Sequence, residues 1–135
     1  MRLISDDAIA IITIFQEAEG ESLQGKVAVA EVIRRRMARR YSSDGTVVGT
    51  CLRPYQFSGW NTASGNRIRS LRIDLDEAMV ADCVTAWAHS RTSNIVPDAV
   101  LYYNPDIVPT PPAWADPARL VAVVEHHRFY KAEGL

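Results

Sequence analysis

An almost unbroken apolar run, "AIAIITIF" (8–15), opens the chain, and the polar, acidic stretch "QEAEGES" (16–22) follows it at once. Apolar residues at 8, 11, 12, 15 and 18 recur at helical spacing, which predicts a first helix. Ser5 can cap it, and Asp6 and Asp7 suit its positive end. A helix this apolar must be central to the fold. It is expected to end near Ala18–Gly20, with Gly20 supplying a left-handed stop. A second helix is expected from Glu21–Ser22, with Leu23, Val27, Ala30, Ile33, Met37 and Tyr41 on one face. Glu31 and Arg35 can pair on its outer side at i,i+4, and the turn residues of Ser42–Gly45 end it.

Further on, "TVVGTCLRPYQFSGW" (46–60) mixes β-branched and turn residues and reads as a short strand or loop around Pro54. The polar segment 61–71 reads as an exposed loop. Asp74–Ser90 reads as a third helix that turns Leu75, Met79, Cys83 (or Val80), Ala86 and Trp87 inward. Five of the seven prolines fall within 100–117, which excludes a regular helix there. Tyr102, Tyr103 and Trp114 can anchor that loop. The end, "RLVAVVEHHRFYKA" (119–132), reads as two short strands joined near Glu125–His126, with a further apolar helix as the alternative. With neither repeat nor linker, the chain is expected to be one domain over 1–135, α+β but mainly α, with a small β element.

Composition narrows the function classes. Fifteen basic residues oppose sixteen acidic ones, so a net charge of −1 gives no general pull toward nucleic acid or an anionic membrane. The one basic run, "RRRMARR" (34–40), is expected to be a solvated helix face. No apolar run approaches the roughly 18 residues of a membrane span. The N-terminus does not read as a signal peptide, since Asp6 and Asp7 interrupt it. Synthesis and residence in a cytoplasm are therefore expected. Cys51 and Cys83 fit no metal spacing and are expected to be buried thiols, with a disulfide left open.

The candidate chemistry lies in the acidic turn, where Glu17, Glu19 and Glu21 stand within five positions. A carboxyl group at the end of an apolar helix is partly desolvated, which raises its pKa and lets it hold a proton for donation to a glycosidic oxygen. Glu17 lies nearest the apolar helix. Glu21 stands where it could cap the next helix, and three surface or capping glutamates would give the same pattern. "YQFSGWN" (55–61) and "LYYNP" (101–105) supply aromatic faces and amides of the kind that bind sugars, or that merely anchor loops. His89, His126 and His127 with Glu125 could suggest a zinc amidase. Adjacent strand histidines would point to opposite faces, however, and no ligand spacing is present, so no metal or cofactor is expected.

These landmarks, taken in order, resemble the SleB-type cell-wall hydrolase family of spore cortex-lytic enzymes and small phage lysins. The resemblance rests on "EAEGE" (17–21), "GKVAVAEVI" (25–33), "QFS" (56–58), "YYNP" (102–105), Trp114 and "HHRFY" (126–130). It implies a lysozyme-like helical domain that cleaves peptidoglycan glycan strands. It makes Glu17 the catalytic acid and places Glu21, Gln56, Phe57, Ser58, Tyr102, Tyr103, Asn104 and His127 along the substrate cleft, with His127 either touching sugar or orienting the aromatic loop. The chain departs from the family pattern at Glu19, at Arg35–Arg36 (usually Asn–Arg) and at Glu125–His126 (usually Gly–Asn).

The implied reaction breaks the β-1,4 bond from N-acetylmuramic acid to N-acetylglucosamine. A lytic transglycosylase needs one carboxyl group, whereas a hydrolytic muramidase needs a second, for which Asp74 and Asp76 are distant candidates. A non-catalytic peptidoglycan-binding or virion protein is the remaining alternative. Peptidoglycan is the expected partner and the monomer the expected state. A phage or prophage endolysin that awaits a holin is the expected setting.

Overall fold

The computed structural model describes residues 5–53, 56–57, 60 and 78–134. Its helices are α1 (Asp6–Ala18), α2 (Leu23–Arg39), α3 (Val47–Cys51) and α4 (Ala78–His89). Strands β1 (Leu101–Tyr103), β2 (Leu120–Val124) and β3 (His127–Tyr130) form one antiparallel sheet in the order β1-β3-β2. The mainly helical α+β reading therefore holds, and the end of the chain is a hairpin rather than a helix.

α1 is the axis of the helical part. Ser5 accepts a hydrogen bond from the Ala8 amide at 3.1 Å, and every residue from Ala8 to Phe15 is buried. α2, α3 and α4 pack around it, which explains why its sequence is apolar on all sides. Asp7 does more than face the helix dipole, because it also accepts from the Trp87 indole of α4 at 2.9 Å. The helix ends at Ala18 as expected, but Gly20 is not among the residues with left-handed backbone. Glu19 keeps right-handed helical angles, and the Glu21 amide closes the turn onto the Ala18 carbonyl at 3.0 Å.

α2 starts where expected, capped by Ser22, and stops at Arg40, which takes the left-handed conformation. Val27, Ala30 and Ile33 are buried, whereas Leu23 at the edge is exposed. On α4, Val80, Cys83, Ala86 and Trp87 are buried as expected; both cysteines are free, and burial pushes each thiol up to about 11. Residues 61–77, which include the expected loop, Asp74, Leu75 and Asp76, lie outside the described residues, as does Pro54.

Three further expectations about local structure are corrected. Within the segment expected as a short strand or loop, Val47–Cys51 form a short helix, which the Thr46 hydroxyl caps by accepting from Gly49 N at 2.9 Å. Glu31 is not on the outside of α2 but 2% exposed. It accepts from the Ser93 hydroxyl and from the amides of Ile95 (2.9 Å) and Val96 (3.0 Å), with Arg35 at 3.9 Å. It thereby fixes the loop after α4.

The basic run is a solvated face only at its end, where Arg39 and Arg40 are exposed; Arg34, Arg35 and Arg36 are drawn into the fold. Arg34 lies 3.6 Å over the Trp87 ring, Arg35 donates to the Val96 and Ala99 carbonyls at 2.9 and 2.8 Å, and Arg36 is 5% exposed. Helical spacing carries these side chains onto the surface that α4 and the following loop cover. Their planar, multi-donor heads then satisfy carbonyls that lie outside any ladder.

Replacing Glu31 by Ala would leave two backbone amides without their acceptor. The Glu31→Ala protein is expected to lose about 3 kcal/mol of unfolding free energy. Urea denaturation monitored by tryptophan fluorescence checks this.

Candidate active site

The C-terminal turn of α1 delivers Glu17 to the place where the helices meet the sheet. Tyr102, at the centre of β1, donates its hydroxyl to Glu17 Oε1 at 2.6 Å. Burial raises the Glu17 carboxyl above its ordinary range, while the Tyr102 hydrogen bond and the positive charge of Arg36 pull it partway back. Tyr102 is itself held neutral, its pKa driven well up by burial and by the neighbouring carboxylate. A carboxyl group in this setting carries a proton at a higher pH than a solvated one, and the Tyr102 hydroxyl steadies it.

Glu21, four residues on, has the opposite environment. It is 7% exposed and does not cap α2, a role Ser22 fills. Its Oε1 lies 2.8 Å from His127 Nδ1 and accepts the His126 amide at 3.2 Å, while its Oε2 lies 2.6 Å from His126 Nδ1. Burial opposes its ionisation, but the His126 hydrogen bonds and the two imidazole charges outweigh that and hold its pKa below the ordinary value. Gly25 makes room for this side chain: a Cβ there would stand 2.8 Å from that of Glu21.

The hairpin answers in kind. Glu125, at the β2–β3 turn with φ 50°, accepts from the Ser22 amide at 3.0 Å and from the Ser22 hydroxyl. The two turns therefore hold each other, Glu21 reaching across to the histidines and Glu125 reaching back to the start of α2. The two histidines converge on one carboxylate, contrary to the expectation of opposite faces, because His126 belongs to the turn and only His127 to the strand. Glu21, Glu125 and His126 bring ligand-type atoms within 4.8 Å of one another. The hydrogen bonds just described account for that closeness.

His127 is 7% exposed, and its ring meets Tyr102 edge-on with centroids 5.2 Å apart. Burial lowers its pKa despite the adjacent Glu21, so it is a neutral ring at pH 7. Since a carboxylate can only accept, Nδ1 carries the proton. His127 is thus held between Glu21 and the Tyr102 ring.

The other expected cleft residues divide. Gln56 is half-buried, with Oε1 3.5 Å from an Arg36 nitrogen. Phe57 is 1% exposed and packs in the core beneath the Arg36 guanidinium, 5.0 Å from its ring centre. Tyr103 points away from Tyr102, as strand alternation requires, into a cluster with Trp114 and Tyr130 at 5.9 and 6.0 Å. Asn104 accepts the Asp106 amide at 2.9 Å and shapes the turn after β1. Ser58 lies outside the described residues. The residue that the sequence concealed is Arg36. The arginine run signalled it, but charge alone read as solvation.

Both Glu21 and His127 make stability depend on pH. His127 is neutral in the fold with a pKa below its ordinary 6.5, so its contribution is complete above about pH 6.5 and is lost as pH falls through the lowered value. Glu21, also lowered, contributes above the ordinary carboxylate range and loses its share as pH falls further. His126 acts the other way, with a raised pKa whose benefit fades as pH rises, but its side chain is largely in solvent and its share is small. Glu21→Ala is expected to cost about 3 kcal/mol at pH 7.5 and less at pH 4. Thermal melts of the two proteins across that range check it.

Comparison with known proteins fits this geometry. No curated protein matches the chain. Two solved structures share its fold. One is the catalytic domain of the germination-specific lytic transglycosylase SleB from Bacillus anthracis, with 24% identity, TM-score 0.71, and 93% of each chain covered. The other is the catalytic domain of the Bacillus cereus SleB protein, with 24% identity, TM-score 0.72, and 93% of this chain and 89% of that one covered. The cell wall hydrolase family model matches residues 20–130, a span that contains Glu21, Arg36, Tyr102, the hairpin and its histidines and begins three residues after Glu17. The chain belongs to the cell wall hydrolase family and is an enzyme that degrades the cell wall.

Proposed function

We propose that the protein is a peptidoglycan lytic transglycosylase that breaks the β-1,4 bond from N-acetylmuramic acid to N-acetylglucosamine, with Glu17 as its acid and then its base. The observation that carries the reading is the Glu17 carboxyl group, desolvated at the end of α1 and steadied by one hydroxyl at 2.6 Å. The family membership and the fold shared with a protein described as a lytic transglycosylase support it.

The steps follow from one carboxyl group. Protonated Glu17 donates to the glycosidic oxygen, the bond from muramic acid C1 to that oxygen breaks, and positive charge develops on the sugar ring. The Glu17 carboxylate, stabilised by the Tyr102 hydroxyl, then takes the proton from the muramic acid 6-hydroxyl as that oxygen attacks C1. A 1,6-anhydro ring forms, and Glu17 regains its proton.

A hydrolytic route would need a second carboxylate to activate water or to attack C1. Of the other glutamates in the acidic turn, Glu19 is exposed, while Glu21 already commits both of its oxygens to the hairpin. Its lowered pKa also makes it a weak base. These features favour the intramolecular route over hydrolysis.

Purified peptidoglycan digested with the parent protein is expected to yield anhydromuropeptides by mass spectrometry, and Glu17→Gln to yield none above background, a loss of at least about 10³-fold. Reducing muramic acid ends from the parent would replace the transglycosylase with a muramidase. Equal products from the parent and Glu17→Gln would remove Glu17 from the mechanism.

A further inference from the structure

Arg36 is the buried cation of the site. Its Nε donates to the Val100 carbonyl at 2.7 Å, a second nitrogen reaches Gln56 Oε1 at 3.5 Å, and the group lies over the Phe57 ring. These partners are neutral, so hydrogen bonds alone do not repay the cost of removing a guanidinium from water. A Met of similar length would fill the space without that cost. The cation calls for an electrostatic role.

Two features connect it to Glu17, one structural and one electrostatic. Val100 leads into β1, its amide donates to the Tyr130 carbonyl at 3.0 Å, and Tyr102 stands two residues on. The bond from Arg36 to Val100 therefore ties α2 to the strand whose tyrosine reaches Glu17. The guanidinium also lies within electrostatic reach of both Glu17 and the Tyr102 hydroxyl.

We propose that Arg36 is a positioning residue of the transglycosylase reaction, which seats Tyr102 on Glu17 through the Val100 carbonyl and supplies the buried positive field that lets Glu17 release its proton in a site poor in water. The proposal rests on the reading of Glu17 as the acid. Desolvation alone would make Glu17 hold its proton too tightly and would leave the carboxylate formed midway through the reaction unsupported. Arg36 offsets both from behind, without touching substrate.

Among the described residues, the other titratable groups around this pair do not duplicate it. From β1 comes the neutral Tyr102, and from α3 comes Cys51, whose thiol is pushed up to about 11 and stays protonated. Tyr41, beyond α2, faces Arg36. His127 on β3 meets Tyr102 and is kept neutral, its Nδ1 turned to Glu21. Arg36 is thus the positive charge that acts on Glu17 among these groups.

The test is the pH dependence of anhydromuropeptide release at saturating peptidoglycan, for the parent, Arg36→Met, Arg36→Lys and Glu17→Gln, each with a thermal melt to establish folding. Arg36→Met is expected to be slower at neutral pH by about 10- to 100-fold. Its alkaline limb, where Glu17 loses its proton, is expected about one unit higher than the parent's. Arg36→Lys keeps the charge but not the planar fork, so it is expected to be slower with its alkaline limb near the parent's.

A folded Arg36→Met whose profile has the parent's shape and rate would overturn the proposal and leave Arg36 a packing residue. If Arg36→Met does not fold, Arg36→Lys decides: a reduced rate with the parent's alkaline limb upholds the proposal, and a parent-like rate sinks it. Product release by Glu17→Gln would remove the acid reading, and this proposal with it, by a result in which Arg36 plays no part.

Discussion

The buried carboxylate of Glu21 joins the two halves of this protein. The helical part could form without it, since α1 and α2 have their own caps and their own apolar faces. The small sheet has fewer means of support, because three short strands bury little area by themselves. Glu21 binds His126 and His127 at the hairpin, and Glu125 of the hairpin binds Ser22 at the start of α2. Because β1 pairs with β3, the clasp also fixes β1, and the register Tyr102 to Phe129 sets how far Tyr102 reaches toward Glu17. The contact between acid and tyrosine therefore depends on a contact made four residues further along the same turn.

Much of this could be read from the sequence because it depends on periodicity and local chemistry. The apolar run 8–15, the Ser22 start of α2, the inward face of α4 and the final hairpin all follow from spacing, caps and turn residues within one element. Long-range partnership was not legible. Nothing local to "RRRMARR" says that Arg36 will find the Val100 carbonyl 64 positions away, and nothing local to Glu31 says that a distant loop will need its oxygens. In both cases a polar side chain on a helix reads locally as facing water, and the backbone of a loop provides the reason to bury it. The short helix α3 was missed for a different reason: β-branched Val47 and Val48 have strand propensity, which the Thr46 cap and the packing against α1 override.

The hairpin turn shows how a departure from a family pattern can be repaid in structure. Glu125 takes a left-handed backbone conformation at φ 50°, which favours glycine and costs a residue with a side chain about 1 kcal/mol. Where the family usually has Gly–Asn, this chain has Glu125–His126. The side chain that strains the turn is the one that accepts the Ser22 amide, and the residue after it supplies an imidazole and an amide to Glu21. The strained turn is thereby joined to α2 and Glu21 by charge-assisted hydrogen bonds.

Glu17 and Glu21 are the same residue type four positions apart, and the fold drives them in opposite directions. Glu17 meets apolar surroundings, a phenol and a cation set behind it, and its pKa rises. Glu21 meets two imidazoles and an amide, and its pKa falls. Separation of this kind assigns roles to paired acids, since the raised group can donate a proton and the lowered one remains a charge. In a two-carboxylate glycosidase the lowered group faces the sugar. Here it faces the hairpin, so the charge that would have served as a nucleophile or base holds the structure together instead. With Glu21 so engaged, the proposed closure of the sugar on its own 6-hydroxyl asks only the Glu17 carboxyl group for both proton transfers.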